Sequence, residues 1–143
     1  MRIGGFLKQM ENIPLLQLDH IGIRVSNLKI ALGFYALFGF EIDRSEILHE
    51  YQTCTLQDRR GFRINLIYNA KNERGRNVLI DAEKKYSGIT HLAFVVDDMD
   101  AIQKQLSELN IAVTEGPMQV SERRICCFVR DPDGTVIELN QLI

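Results

Sequence analysis

The chain has 143 residues, with 17 Lys and Arg against 19 Asp and Glu for a net charge of -2, which leaves no basic footprint for nucleic acid or an anionic membrane surface. A domain of this size buries roughly two thirds of its unfolded surface without disulfides, and its three cysteines, Cys54, Cys126 and Cys127, are an odd number that fits a reduced, cytoplasmic setting. No stretch approaches the roughly 20 apolar residues of a membrane span, so the expected partner is a small molecule.

Residues 1–16 read as a leader in which Lys8 and Glu11 interrupt the apolar residues and no small-residue cleavage pattern follows. The segment 18–25, LDHIGIRV, alternates like a half-buried strand. Ser26 or Asn27 then caps a predicted helix that runs to about Phe38, with Gly39 placed for a left-handed C-terminal residue. Strands are expected near 40–48, 51–57 and 62–69, the last two joined by the polar, Gly-ended turn QDRRG at 57–61. The stretch 70–88 is polar and aperiodic, a linker or flap. A second unit opens with a strand at 89–96, after which Asp97 or Asp98 caps a helix whose Met99, Ile102, Leu106 and Leu109 recur at helical spacing, and Asn110 ends it. Strands near 112–115, 124–130 and 135–141 follow, the last two linked by the tight turn DPDG. The order βαβββ thus occurs twice. The expected fold is α+β: one domain over 17–142 built from two βαβββ modules, 17–70 and 88–142, whose strands form a curved, barrel-like mixed sheet with helices on its outer face.

Period two divides each strand into an apolar set and a polar set. In 18–25 the set Leu18, His20, Gly22, Arg24 opposes Asp19, Ile21, Ile23, Val25, and in 62–69 Arg63, Asn65, Ile67, Asn69 opposes Phe62, Ile64, Leu66, Tyr68. His91 shares a face with Ala93 and Val95, and Glu138 with Val136 and Asn140. With the apolar sets packed under the helices, His20, Asn65, His91 and Glu138 are left on the opposite face, where a ligand cavity belongs. A lone histidine on a strand is usually a satisfied core or surface residue. Two at corresponding positions, with a carboxylate on an equivalent face, are the ligand set of a divalent metal with open coordination positions. His49, beside Glu50, reads as a solvated residue, as do Arg123 and Arg124. Glu46, Glu50 and Tyr51 are candidates to overhang the pocket, and Cys126 and Cys127 read as small buried residues.

The duplicated βαβββ order, the strand-opening histidines of LDHIGIRV and THLAFVV, and the ending DPDGTVIEL resemble the vicinal oxygen chelate superfamily. That superfamily includes glyoxalase I, extradiol dioxygenases, methylmalonyl-CoA epimerase, fosfomycin-resistance thioltransferases and bleomycin-binding proteins, and the resemblance covers about residues 17–142. It implies metal positions at His20, Asn65, His91 and Glu138. Asn65 stands where glyoxalase I has a glutamate or glutamine; a short neutral amide is a weak oxygen donor and no base, so His20, His91 and Glu138 form the expected triad and Asn65 the candidate fourth ligand. Arg24 and Asn69 fall where glyoxalases place glutathione-binding groups, and with Arg63 on the same face they are the expected substrate-binding residues. The resemblance implies a homodimeric, metal-dependent lyase, isomerase or ring-cleaving dioxygenase acting on a molecule that chelates through vicinal oxygens. Its cofactor would be one Fe, Mn, Ni, Co or Zn ion, with glutathione or another thiol as candidate co-substrate and Glu138 as both ligand and catalytic base. The other reading is a non-catalytic protein that binds a small molecule or antibiotic, as in bleomycin resistance; the absence of tryptophan and the retained triad count against it.

Overall fold

The β-branched and aromatic runs of this chain pair into two sheets, seen in a computed structural model that describes residues 11–71 and 75–143. Residues 1–10 of the expected leader and 72–74 of the expected flap lie outside the described residues; 11–20 carry no helix or strand. The first sheet contains β1 (Ile21–Arg24), β2 (Glu41–Leu48), β3 (Thr53–Gln57) and β4 (Arg63–Ile67), ordered β1-β4-β3-β2, with helix α1 (Leu28–Ala36) between β1 and β2. The second contains β5 (His91–Val96), β6 (Glu115–Ser121), β7 (Arg124–Arg130) and β8 (Val136–Leu142), ordered β5-β8-β7-β6, with α2 (Met99–Glu108) after β5. In each, the first strand runs parallel to the last and the remaining pairs are antiparallel. The architecture is α+β, two four-stranded mixed sheets and two helices.

Several boundaries differ from the sequence expectation for local reasons. β1 is shorter than 18–25 because its ladder begins at Ile21 opposite Ile64, which leaves His20 just ahead of the strand. Asn27, not Ser26, caps α1: its side-chain oxygen accepts the Ile30 N–H at 3.0 Å. The helix stops at Ala36 rather than Phe38 because Leu37, Phe38 and Gly39 donate three residues back, to Phe34, Tyr35 and Ala36. The Phe40 N–H then closes onto the Tyr35 carbonyl, with Gly39 left-handed at φ +87°. The largest difference is β6, expected near 112–115 and found at Glu115–Ser121. Gly116 and Pro117 fall in a register shift between Glu115 and Met118 on an edge strand, where a missing N–H costs no ladder bond.

One continuous apolar core joins the two halves. Ala31 and Tyr35 of α1 and Met99 and Leu106 of α2 pack with Ile23, Leu56, Ile64 and Leu66 of the first sheet and Leu92, Val129, Ile137 and Leu139 of the second. Phe40 meets Phe94 across the halves with ring centroids 6.2 Å apart. The DPDG turn adds polar links. Asp131 is buried, and its carboxylate accepts the Tyr35 hydroxyl at 2.7 Å and the backbone N–H groups of Asp133 and Thr135 at 2.9 Å each. Asp133 takes the Ser26 N–H at 3.0 Å and the Ser26 hydroxyl at 2.5 Å. Because the helices cover one face of each sheet, the other face stays open: Gly22 and Arg24 on β1, and His91, Ala93 and Val95 on β5, are exposed.

Candidate functional site

Strand register places the expected ligands in matching positions. On the first sheet Gly22 lies opposite Asn65, so His20 stands two residues ahead of Asn65's partner. On the second sheet Ala93 lies opposite Glu138, so His91 stands two residues ahead of Glu138's partner. His20 is therefore to Asn65 what His91 is to Glu138. Each pair shares the open face, because the residues between them, Ile21 and Ile23, Leu92, Ile137 and Leu139, are those that pack into the core.

The histidines are oriented by the residues that precede them. The Nδ1–H of His20 donates to the Asp19 carboxylate at 2.6 Å, and Nδ1 of His91 pairs with the Thr90 hydroxyl at 2.8 Å. Among the described residues neither ring has a partner at Nε2, and a histidine whose Nδ1 is engaged by an oxygen presents Nε2 as a metal donor. The hydrogen bond and charge of His20 hold the exposed Asp19 carboxyl below the usual carboxylate range. His91 also meets the ring of Phe128 edge-on at 6.2 Å, and Phe128 lies on β7 directly opposite Glu138.

The two acceptor positions differ in chemistry. Asn65 donates its amide to the Thr55 hydroxyl at 3.0 Å, with Thr55 opposite it on β3. Glu138 is half-buried and accepts the Asn140 amide N–H at 2.6 Å. Cys126, opposite Asn140 on β7, is buried, which with the nearby Glu138 carboxylate pushes its thiol up. Cys54 and Cys127 are raised by burial as well, so all three thiols are held in the neutral form.

The expected substrate-binding residues separate. Arg24 donates its Nε–H to the Asn69 side chain at 3.0 Å, joining those two across β1 and the end of β4, and among the described residues it has no ion-pair partner. Arg63 is engaged within its own sheet: it donates to Gln57 at 3.2 Å and lies 3.5 Å from Asp43 and 3.8 Å from Glu46. Glu46 thus offsets an arginine. His49 is exposed and pairs with the Tyr68 hydroxyl at 2.9 Å.

The donor types suit a first-row divalent ion, but among the described residues no three His, Cys, Asp or Glu side chains converge to hold a metal. The triad is divided between the open faces of the two sheets. A separate groove of about 790 Å³ runs between the halves, lined by Phe40, Phe62, Phe94, Ile102, Leu109 and Arg60 among others, and none of the candidate ligands lines it. Sequence reasoning missed Thr55 and Phe128, which reach the site only through cross-strand pairing. Asp19 and Thr90 carried a readable signal, a short polar residue directly before each histidine.

Comparison with known proteins bears on the family and the fold. Residues 17–139 match the model of the Glyoxalase/Bleomycin resistance protein/Dioxygenase superfamily. The chain is 27% identical over 133 residues to the metallothiol transferase FosB of Bacillus licheniformis, spanning 92% of this chain and 79% of that protein. A glyoxalase/dioxygenase from Nostoc punctiforme superposes with a TM-score of 0.70 at 20% identity, covering 94% of this chain and 99% of that one. TnmS3, an antibiotic binding protein from Streptomyces, does so with a TM-score of 0.68 at 21% identity, covering 92% and 100%. With a family match that extends over most of its length, the chain belongs to the Glyoxalase/Bleomycin resistance protein/Dioxygenase superfamily.

Proposed function

We propose that this protein is a metal-dependent enzyme that acts on a small molecule through two vicinal oxygens, with His20, His91 and Glu138 as metal ligands and Asn65 at the fourth position. The observation that carries the reading is the matched register, which sets a histidine and an oxygen donor at equivalent places on two open sheet faces. Because the triad is split between those faces, the complete centre is formed in a homodimer, by His20 of one copy with His91 and Glu138 of another. The apolar content of the open surfaces fits such pairing: Val95, Val120 and Leu142 are each more than half exposed.

A divalent ion held there would polarise the substrate's oxygens as a Lewis acid. This chain's residues supply the rest. Arg24, fixed by Asn69, is the available cation for an anionic end of the substrate. Glu138 is the one carboxylate among the four ligand positions and doubles as the candidate base; Asn65 cannot move a proton and is tied to Thr55. The single base favours a thiol transfer, isomerisation or ring cleavage over the two-carboxylate chemistry of glyoxalase I, and likeness to a metallothiol transferase supports a thiol as co-substrate. The ion would be Fe, Mn, Ni, Co or Zn.

Protein stripped of metal and titrated with Ni(II), Mn(II) or Zn(II) is expected to bind about one ion per chain, and His91→Ala to bind none. Loaded protein is then assayed with glutathione and other thiols against an epoxide or the methylglyoxal hemithioacetal, and with Fe(II) against catechols under oxygen. Failure to bind any of these ions, together with tight binding of an apolar antibiotic, would establish the binding-protein reading instead.

A further inference from the structure

Asn140 is hydrogen-bonded to Glu138 and is itself almost completely buried, at 3% exposure. It lies between Val95 of β5 and Cys126 of β7, on the same face as Glu138. Its amide N–H donates to Oε2 of Glu138 at 2.6 Å, and among the described residues its buried Oδ1 has no hydrogen-bond partner. A carboxylate only accepts, so the NH₂ end of the amide is the end that faces it. A buried amide between a valine and a cysteine is costly where an apolar side chain would need no partner, and leaving its carbonyl unpaired adds to that cost. The duplication sharpens the point. Glu138 corresponds to Asn65, so Asn140 corresponds to Ile67, which lies opposite Arg24 on the first sheet. The polar residue is present only in the half that carries the carboxylate.

We propose that Asn140 is the positioning residue of the metal centre: it engages Oε2 of Glu138 and so leaves Oε1 as the oxygen free of that hydrogen bond. The inference rests on the metal-enzyme reading above. Residues that orient a ligating carboxylate change metal affinity when removed even though they never touch the ion.

The test uses the full-length chain, stripped of metal and titrated with Co(II) and Zn(II) against a chromophoric chelator. Asn140→Leu keeps the branched outline, with somewhat more bulk, and removes the donor; Asn140→Gln keeps an amide donor one methylene further out. Asn140→Leu is expected to bind both ions about 10- to 100-fold more weakly than wild type, with Asn140→Gln in between. The visible bands of the Co(II) form should change in intensity in Asn140→Leu as Oε2 is released to bind, a signature that a purely structural role would not move. Near-UV circular dichroism and thermal midpoints are recorded for every variant; should Asn140→Leu not fold, Asn140→Ala, which also lacks a side-chain donor, replaces it, with the same loss expected. Wild-type affinity and an unchanged Co(II) spectrum in a folded donor-less variant would overturn the positioning role and leave the metal-enzyme reading standing. A wild-type protein that binds neither ion would overturn both.

Discussion

At the scale of single residues, buried oxygen atoms do much of the joining. Asp131 has little contact with water, and its burial pushes the carboxyl up even though three donors stabilise the ionised form. One of those donors, the Tyr35 hydroxyl, comes from the other half of the chain, and burial beside Asp131 pushes that phenol up as well, so it remains a donor throughout the working pH range. Tyr35→Phe leaves the ring in place and removes one donor, which should destabilise the fold by about 1–3 kcal/mol. The sign of the pH dependence follows from linkage. A carboxyl whose folded pKa lies above its unfolded value lowers stability as pH rises and it must ionise in the fold, and removal of a donor raises that pKa further. The loss in Tyr35→Phe should therefore be larger near about pH 7.5 than near about pH 4. Urea denaturation at the two pH values checks this; a loss that does not grow with pH would mean that the hydroxyl does not stabilise the charged form.

At the scale of elements, turns decide how the halves meet. Gly134 closes the DPDG turn at φ +91°, and a Cβ built there would lie 2.9 Å from the carbonyl carbon and oxygen of Gly75, in the segment that connects the halves. Gly134→Ala meets both a left-handed backbone and a backbone clash, so it should cost about 1–3 kcal/mol or more in chemical denaturation. Gly33 is the internal comparison: it is exposed within α1, and a Cβ there would meet nothing within 4 Å. Gly33→Ala should stabilise by roughly 0.5–1 kcal/mol. If both changes have the same sign, the turn is not the constraint described. The same segment is tied down by Arg130, which donates to both oxygens of Asp81 at 2.8 and 2.9 Å and, with the Asn77 N–H, holds that carboxyl down at about 2. That pair supports the fold at neutral pH and stops doing so as pH falls from the ordinary carboxylate range towards about 2.

At the scale of the whole molecule, the open faces set the question of assembly. Edge strands β2 and β6 are mostly exposed, and each half has one open face, an incomplete arrangement for the proposed metal site. In the proposed homodimer, a hybrid of one His20→Ala chain with one His91→Ala chain holds one site that lacks both histidines and one that lacks neither. Co-expression with two affinity tags yields that hybrid, which should bind one ion per dimer although each parent homodimer binds none. If the hybrid binds none, the site does not form between copies.

Much of the architecture was legible in the residues themselves. Alternation identified all the strands but β6 to within a few residues, the pairs Ser26/Asn27 and Asp97/Asp98 bracketed the helix starts, and the two histidines in equivalent settings exposed the duplication, because these features depend on neighbours a few positions away along the chain. Period two also assigned Ile21, Ile23, Ile137 and Leu139 to the core side and left His91 and Glu138 on the other, as the packing shows. The tertiary structure decided what requires distant segments to meet. It set the pairing of Asn65 with Thr55, the engagement of Arg63 by Asp43 and Glu46, the burial of Asn140 against Glu138, and the extension of β6 through Gly116 and Pro117. Each depends on strand register and on which edge is free, and hydrophobic pattern within one strand carries no information about either. It also divided the three candidate ligands His20, His91 and Glu138 between two sheets, since sequence offers residue types while only packing determines which of them share a face.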